Sequence, residues 1–152
     1  FAGSGMVSRI NAEQQVNTIG QLTTLARSAG DVVHQLQRER GMSAGFIGAR
    51  GQQFRDELAA QRKLTDEALV KLNQVLTDTD KDLLQGNIAT TLKTFNESIQ
   101  SLDATRTAIS GLTFDSPKAR HFYTRTIAGV LNFVGGMGHL SSSGSIVNDL
   151  AA

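Results

Sequence analysis

Apolar residues recur in the first third of the chain at steps of three and four. Leu22, Leu25, Ala29, Val32 or Val33, and Leu36 fall on one face of a helix. The spacing predicts a first helix from about residue 8 to residue 47, with Gly20 and Gly30 as weak points that a helix tolerates. A further step of four from Leu36 arrives at Arg40, after which Ser43 and Ile47 resume the series. A guanidinium on the inward stripe is the anomaly. Arginine keeps its proton in proteins, so a partly buried one needs an anionic or strongly accepting partner.

Gly48 and Gly51 then flank a predicted turn, since glycine reaches the left-handed backbone that ends a helix. The second predicted helix runs from about residue 53 to residue 77, with Phe54, Leu58, Thr65, Leu69, Leu72 and Leu76 inward and Arg62 in the same register. Thr77-Asp78-Thr79-Asp80 offers N-cap residues for a third helix starting at Thr79 or Asp80 and ending near Ile109. Its stripe is Leu84, Ile88, Leu92, Phe95, Ile99, Leu102, Arg106 and Ile109. Ser116-Pro117 reads as a cap followed by proline in the first turn. The fourth helix should run from Pro117 to about Leu140 through Ala119, Phe122 or Tyr123, Ile127, Val130 or Leu131, and Val134. Gly135, Gly136 and Gly138 weaken it, and Ser141–Ser145 offers an interruption before Ile146–Leu150.

The first three helices thus each carry one arginine on or beside the apolar face, although such a side chain can lie along that face with its head in water. Four helices of roughly 25 to 35 residues with short turns predict an all-α fold, an antiparallel up-down-up-down four-helix bundle occupying 1–152 as a single domain. An even number of helices brings both chain ends to the same end of the rod. That is the geometry of a domain hung between two membrane spans outside this chain.

Composition narrows the chemistry. Fifteen basic against 14 acidic residues give no nucleic-acid tract and no basic membrane patch. No window reaches the roughly 18 apolar residues of a bilayer span; the best run, Ile127 to Met137, contains Asn132 and two glycines. The chain as given therefore reads as soluble. His34, His121 and His139 lack the spacing of metal ligands. Without cysteine, a Gly-x-Ser-x-Gly elbow or a carboxylate pair in an irregular loop, no catalytic constellation is present, so neither an enzyme nor a cofactor or metal is expected. Gly41, Gly45, Gly48 and Gly51 lack the Gly-Lys-Ser/Thr ending and preceding strand of a phosphate loop, and suit helix termination and close packing.

The segment Gln37-Arg38-Glu39-Arg40-Gly41 carries the strongest functional signal. Arg38 and Arg40 lie about 200° apart on a helix and cannot face the same core. On the stripe spacing Arg40 points inward and Arg38 outward or toward a neighbouring subunit, while Gly41 lets another backbone come close. Two partners for Arg40 are open: a protein carboxylate such as Glu39, Asp66 or Asp103, which makes it structural, or a bound anion.

The run from Val33 to Ile47, His-Gln-Leu-Gln-Arg-Glu-Arg-Gly-Met-Ser-Ala-Gly-Phe between them, resembles the signature of the nitrate- and nitrite-sensing (NIT) domain of bacterial chemoreceptors, sensor kinases and an antitermination regulator. Phe54, Leu58, Gln61-Arg62, Thr65-Asp66, Ala68-Leu69, Leu102, Arg106, Ile109, Tyr123-Thr124, Ile127 and Leu131 extend the resemblance over about residues 20 to 135. It implies an all-helical sensory module in which an arginine of the first helix grips nitrate or nitrite. Carried onto this chain, that residue is Arg40, with Arg38 second. Ser43 and an amide near Gly41 could add donors if the helix loosens there. The full NIT domain resembles two four-helix bundles in tandem, each giving an arginine, whereas this chain holds one such unit. A homodimer pairing the first helices across a two-fold axis would recreate a two-arginine site. The resemblance implies the periplasmic ligand-binding domain of an inner-membrane receptor, attached to the membrane only through flanking spans, with a cytoplasmic regulator as the other setting. The competing reading is a structural or protein-docking bundle without a small ligand.

Overall fold

Helix α1 (Ala2–Gly48) buries Leu22, Leu25, Ala29, Val32, Leu36, Ser43 and Phe46. These positions alternate steps of three and four, and the same alternation takes the step after Leu36 to residue 39. Glu39, not Arg40, therefore occupies the buried seam, with 0% of its surface exposed. Arg40 stands one residue on, about 100° around the helix, and is half-buried at its rim. The inward placement expected of Arg40 is corrected by a single residue.

The computed structural model describes residues 2–143, with side chains from 12 to 138, and is all-helical over that span. Helix α2 (Arg55–Asp78) and helix α5 (Ser116–Ser143) both pack on α1, and helix α3 (Asn87–Gln100) packs on α5. A short helix α4 (Leu102–Ser110) follows α3 almost without interruption, Ser101 keeping a right-handed helical backbone between them. Leu25, Leu36, Leu72, Ile109, Val130 and Phe133 are sealed completely in the common core. Each such side chain contributes about 1.5–3 kcal/mol relative to exposure.

The third predicted helix is divided. A 3-10 turn over Lys81–Leu84 precedes α3, and Gly86, with φ of 65°, separates them in a conformation that favours glycine. Asp80 does not cap this segment through its side chain. Its carboxylate accepts from Gln21 Nε2 at 2.9 Å and its amide donates to Gln21 Oε1 at 2.8 Å, tying the end of α2 to the early part of α1. At α5 the cap is Asp115, one residue before the predicted Ser116: its Oδ1 accepts the amide of Lys118 at 2.8 Å. Leu131 is exposed, while Val130 takes the buried place beside it.

The turn after α1 meets expectation at Gly51, with φ of 75°, and departs from it at Gly48, which is still helical. Arg50, with φ of 55°, takes the left-handed position; the amide of Gly51 bonds to the carbonyl of Phe46 and that of Arg50 to Ile47, both at 2.9 Å. This is the paired-bond ending that satisfies the last carbonyls of a helix. Leu112, with φ of 59°, closes α4 the same way through bonds from Thr113 to Ala108 and from Leu112 to Ile109. Phe54, expected inward, is likewise left-handed and 44% exposed, its ring lying on the open face of Gly45.

The glycines of α5 do not break it. A Cβ on Gly129 would stand 3.7 Å from the Phe95 backbone, and one on Gly136 would stand 3.5 Å from Ile88. Their role is close approach of α3. Ser141–Ser143 continue α5, and the expected segment Ile146–Leu150 lies outside the described residues. No helix among the described residues is long and apolar enough to cross a membrane.

Candidate functional site

A polar layer crosses the apolar core at the level of residue 39. Glu39 Oε1 accepts from Arg106 Nη2 at 2.7 Å, and Oε2 accepts from Arg106 Nε at 2.9 Å and from the Tyr123 hydroxyl at 2.5 Å. Ser43, one turn along α1 and fully buried, donates to Tyr123 at 3.4 Å. Three donors on one carboxylate, two of them from the fork of a single guanidinium, are what burial of that charge requires. Arg106 Nη1 also donates to Asp66 at 2.7 Å and lies 4.0 Å from the exposed Asp103.

The electrostatics follow from this geometry. Burial works to lower the Arg106 pKa, but hydrogen bonds and charge from Glu39 and then Asp66 outweigh it, and the pKa is raised. Tyr123 is raised chiefly by burial, with the charge and hydrogen bond of Glu39 adding to it, so its hydroxyl stays a donor. Arg62 is lowered, mainly by burial. Its Nη1 donates to Ser110 at 2.7 Å and its Nη2 to the carbonyl of Arg106 at 3.1 Å, while Nε is buried without a partner.

The carboxylates expected as possible partners of Arg40, namely Glu39, Asp66 and Asp103, all face Arg106 instead. Arg40 has no ion pair among the described residues. Its Nη1 donates to Thr124 Oγ1 on α5 at 3.2 Å. Arg38 and Gly41 are exposed on α1, and nothing stands within 4 Å of where a Cβ on Gly41 would sit. Ser43 is fully buried and bonded to Tyr123, so the four residues singled out in the sequence do not form one cluster. The helix does not loosen at Gly41: α1 continues to Gly48 and its amides there serve the helix. Grooves of about 190 to 440 Å³ lie along the α1–α2 face, over α3 and between α1 and α5 near Met137, and Arg40 lines none of these.

From the sequence Glu39 reads as a possible partner of Arg40, and Tyr123 as a core alternative to Phe122 that also falls within the family resemblance, neither as part of a polar layer. The alternation of three and four along α1 was the available signal for Glu39. Arg106 was legible, since Leu102 and Ile109 flank it at helical spacing.

The fold and its internal ion cluster define an all-helical bundle in which, among the described residues, Arg40 at the α1–α5 rim has a hydroxyl partner and no carboxylate. The profile of the family described as nitrate and nitrite sensing, NIT, matches residues 31–152, and the chain belongs to that family. Membership points to a signalling or regulatory role and away from catalysis. Among solved structures, the chain is similar to the NasR transcription antiterminator at 24% identity and a TM-score of 0.80, covering 90% of this chain and 37% of that one. That likeness is one of fold. No curated protein matches the chain.

Proposed function

We propose that this chain is the extracytoplasmic ligand-binding domain of a bacterial chemoreceptor or sensor kinase, and that it senses nitrate or nitrite through Arg40. The carrying observation is the contrast in charge pairing: Arg106 has two carboxylates at 2.7 Å, whereas Arg40 has one neutral hydroxyl at 3.2 Å. A guanidinium so placed has donors to offer a planar oxyanion, in a paired geometry that lysine does not reproduce. This pairing pattern disfavours the structural reading, which needs Arg40 itself to be saturated by a carboxylate of the chain.

Arg38 and Gly41 are exposed beside the half-buried Arg40, which suits a homodimer: a second copy, apposed at α1, would bring another Arg40 to the same anion. Arg38 and Gly41, exposed beside it, would then face the partner, with Ser43 acting only through Tyr123. In this reading the helices form one antiparallel up-down-up-down domain, periplasmic and joined to the inner membrane through flanking spans. Binding would favour one packing of the bundle over another, and α5 would pass the difference on.

Calorimetric titration of nitrate and nitrite into the wild type and into Arg40→Ala tests this. Binding by the wild type and its loss in the variant is expected, together with a nitrate-dependent rise in melting temperature confined to the wild type. Equal binding by both proteins removes Arg40 from the site.

A further inference from the structure

Threonine in a helix usually turns its hydroxyl proton back to the carbonyl one turn earlier. In this chain Thr23, Thr24, Thr65, Thr94 and Thr107 do so, and on α5 Thr126 donates to Phe122 at 2.8 Å. Thr124, two residues before Thr126 on the same helix, is different. Its oxygen accepts from Arg40 Nη1, and its proton has no acceptor among the described residues. A hydroxyl has one proton to donate, so Thr124 presents an uncommitted donor beside a guanidinium that is engaged only through Nη1.

The position of this pair is fixed from inside the bundle. Glu39 and Arg40 are consecutive on α1, Tyr123 and Thr124 are consecutive on α5, and the inner members are joined by a 2.5 Å hydrogen bond. The buried bond sets the register in which the outer pair meets at the surface. Nothing comparable anchors Arg38, which is exposed on the other side of α1.

We infer that Thr124 is a second anion-binding residue: its hydroxyl donates to an oxygen of the oxyanion that Arg40 holds. This rests on the reading of Arg40 as the anion site. The neutral hydroxyl adds a directional donor without adding charge, which suits a monovalent oxyanion with several acceptor oxygens better than a halide ion.

The test compares nitrate titrations of the wild type, Thr124→Val and Thr124→Ser. Valine keeps the shape and removes the hydroxyl, both the proposed donor and the acceptor of Arg40, so nitrate affinity should fall about tenfold; serine keeps both and should stay within about threefold of the wild type. Thr124 is exposed, so the melting temperatures without nitrate should coincide; if the valine variant does not fold, Thr124→Ala makes the same comparison. A crystal structure with nitrate should place Thr124 Oγ1 about 2.7–3.0 Å from a nitrate oxygen. Unchanged affinity in Thr124→Val, or a nitrate complex in which Oγ1 contacts only Arg40, overturns the inference. If Arg40→Ala loses nitrate while Thr124→Val retains it, only the role of Thr124 falls. If the wild type binds no nitrate, or Arg40→Ala binds it equally, the Arg40 reading falls and Thr124 with it.

Discussion

Arg106 and Arg40 are the same residue type at two depths of one bundle. Arg106 is sunk in the core, where leaving its charge unpaired would cost several kcal/mol, and the fold surrounds it with Glu39, Asp66 and the backbone carbonyl of Arg62. Arg40 sits at the rim, where water covers what the protein does not, and the fold gives it one hydroxyl. The difference teaches that full internal pairing marks a charge that holds the structure together. Partial pairing at a half-buried position leaves donors for something else.

The contrast is broken most severely by Glu39→Ala. Removing both oxygens that grip Arg106 leaves a buried guanidinium with Asp66 as its one close carboxylate, and should cost about 3–5 kcal/mol in urea unfolding. A loss below about 1 kcal/mol would show that the layer is dispensable.

A smaller effect is expected from Tyr123→Phe, which takes one donor from the buried carboxylate at about 1–3 kcal/mol. The sequence contains a single tyrosine, so its titration is identifiable. Its folded pKa is raised, chiefly by burial and then by Glu39. Below the ordinary tyrosine value of about 10 both folded and unfolded chains keep the proton and the stabilisation is complete. Above it the unfolded chain ionises first, so stability falls as pH rises through that range. Unfolding measured from about pH 8 to pH 11 should show a steeper decline for the wild type than for Tyr123→Phe, with parallel curves counting against the buried hydroxyl. Smallest of all should be the stability change in Arg40→Ala, within about 0.5 kcal/mol, since only an exposed-edge hydrogen bond is lost.

The helices themselves were legible because an apolar stripe at a period of 3.6 is a local property of the chain. Leu22 to Leu36, Leu58 to Leu72 and Ala119 to Ile127 fall where the spacing puts them. The error at position 40 has a physical cause. A search for apolar residues steps over a buried carboxylate, and Glu39 is tolerated on the seam only because Arg106 lies opposite it, 67 positions away in the chain. No local pattern carries that pairing. The cap of α5 differs by one residue: Ser116 and Asp115 are both competent, and Asp115 accepts the Lys118 amide. Thr124 could not be separated from its neighbours at all, since its distinction lies in a hydroxyl proton left unspent.

Helix α1 runs from Ala2 to Gly48 as one unbroken element, through Gly20, Gly30 and Gly41. Each glycine weakens an isolated helix by about 1 kcal/mol relative to alanine, a deficit that the packing of α2 and α5 on α1 offsets. At 1.5 Å per residue its 47 residues span about 70 Å. A displacement at residue 40 therefore meets no loop before the other end of the element.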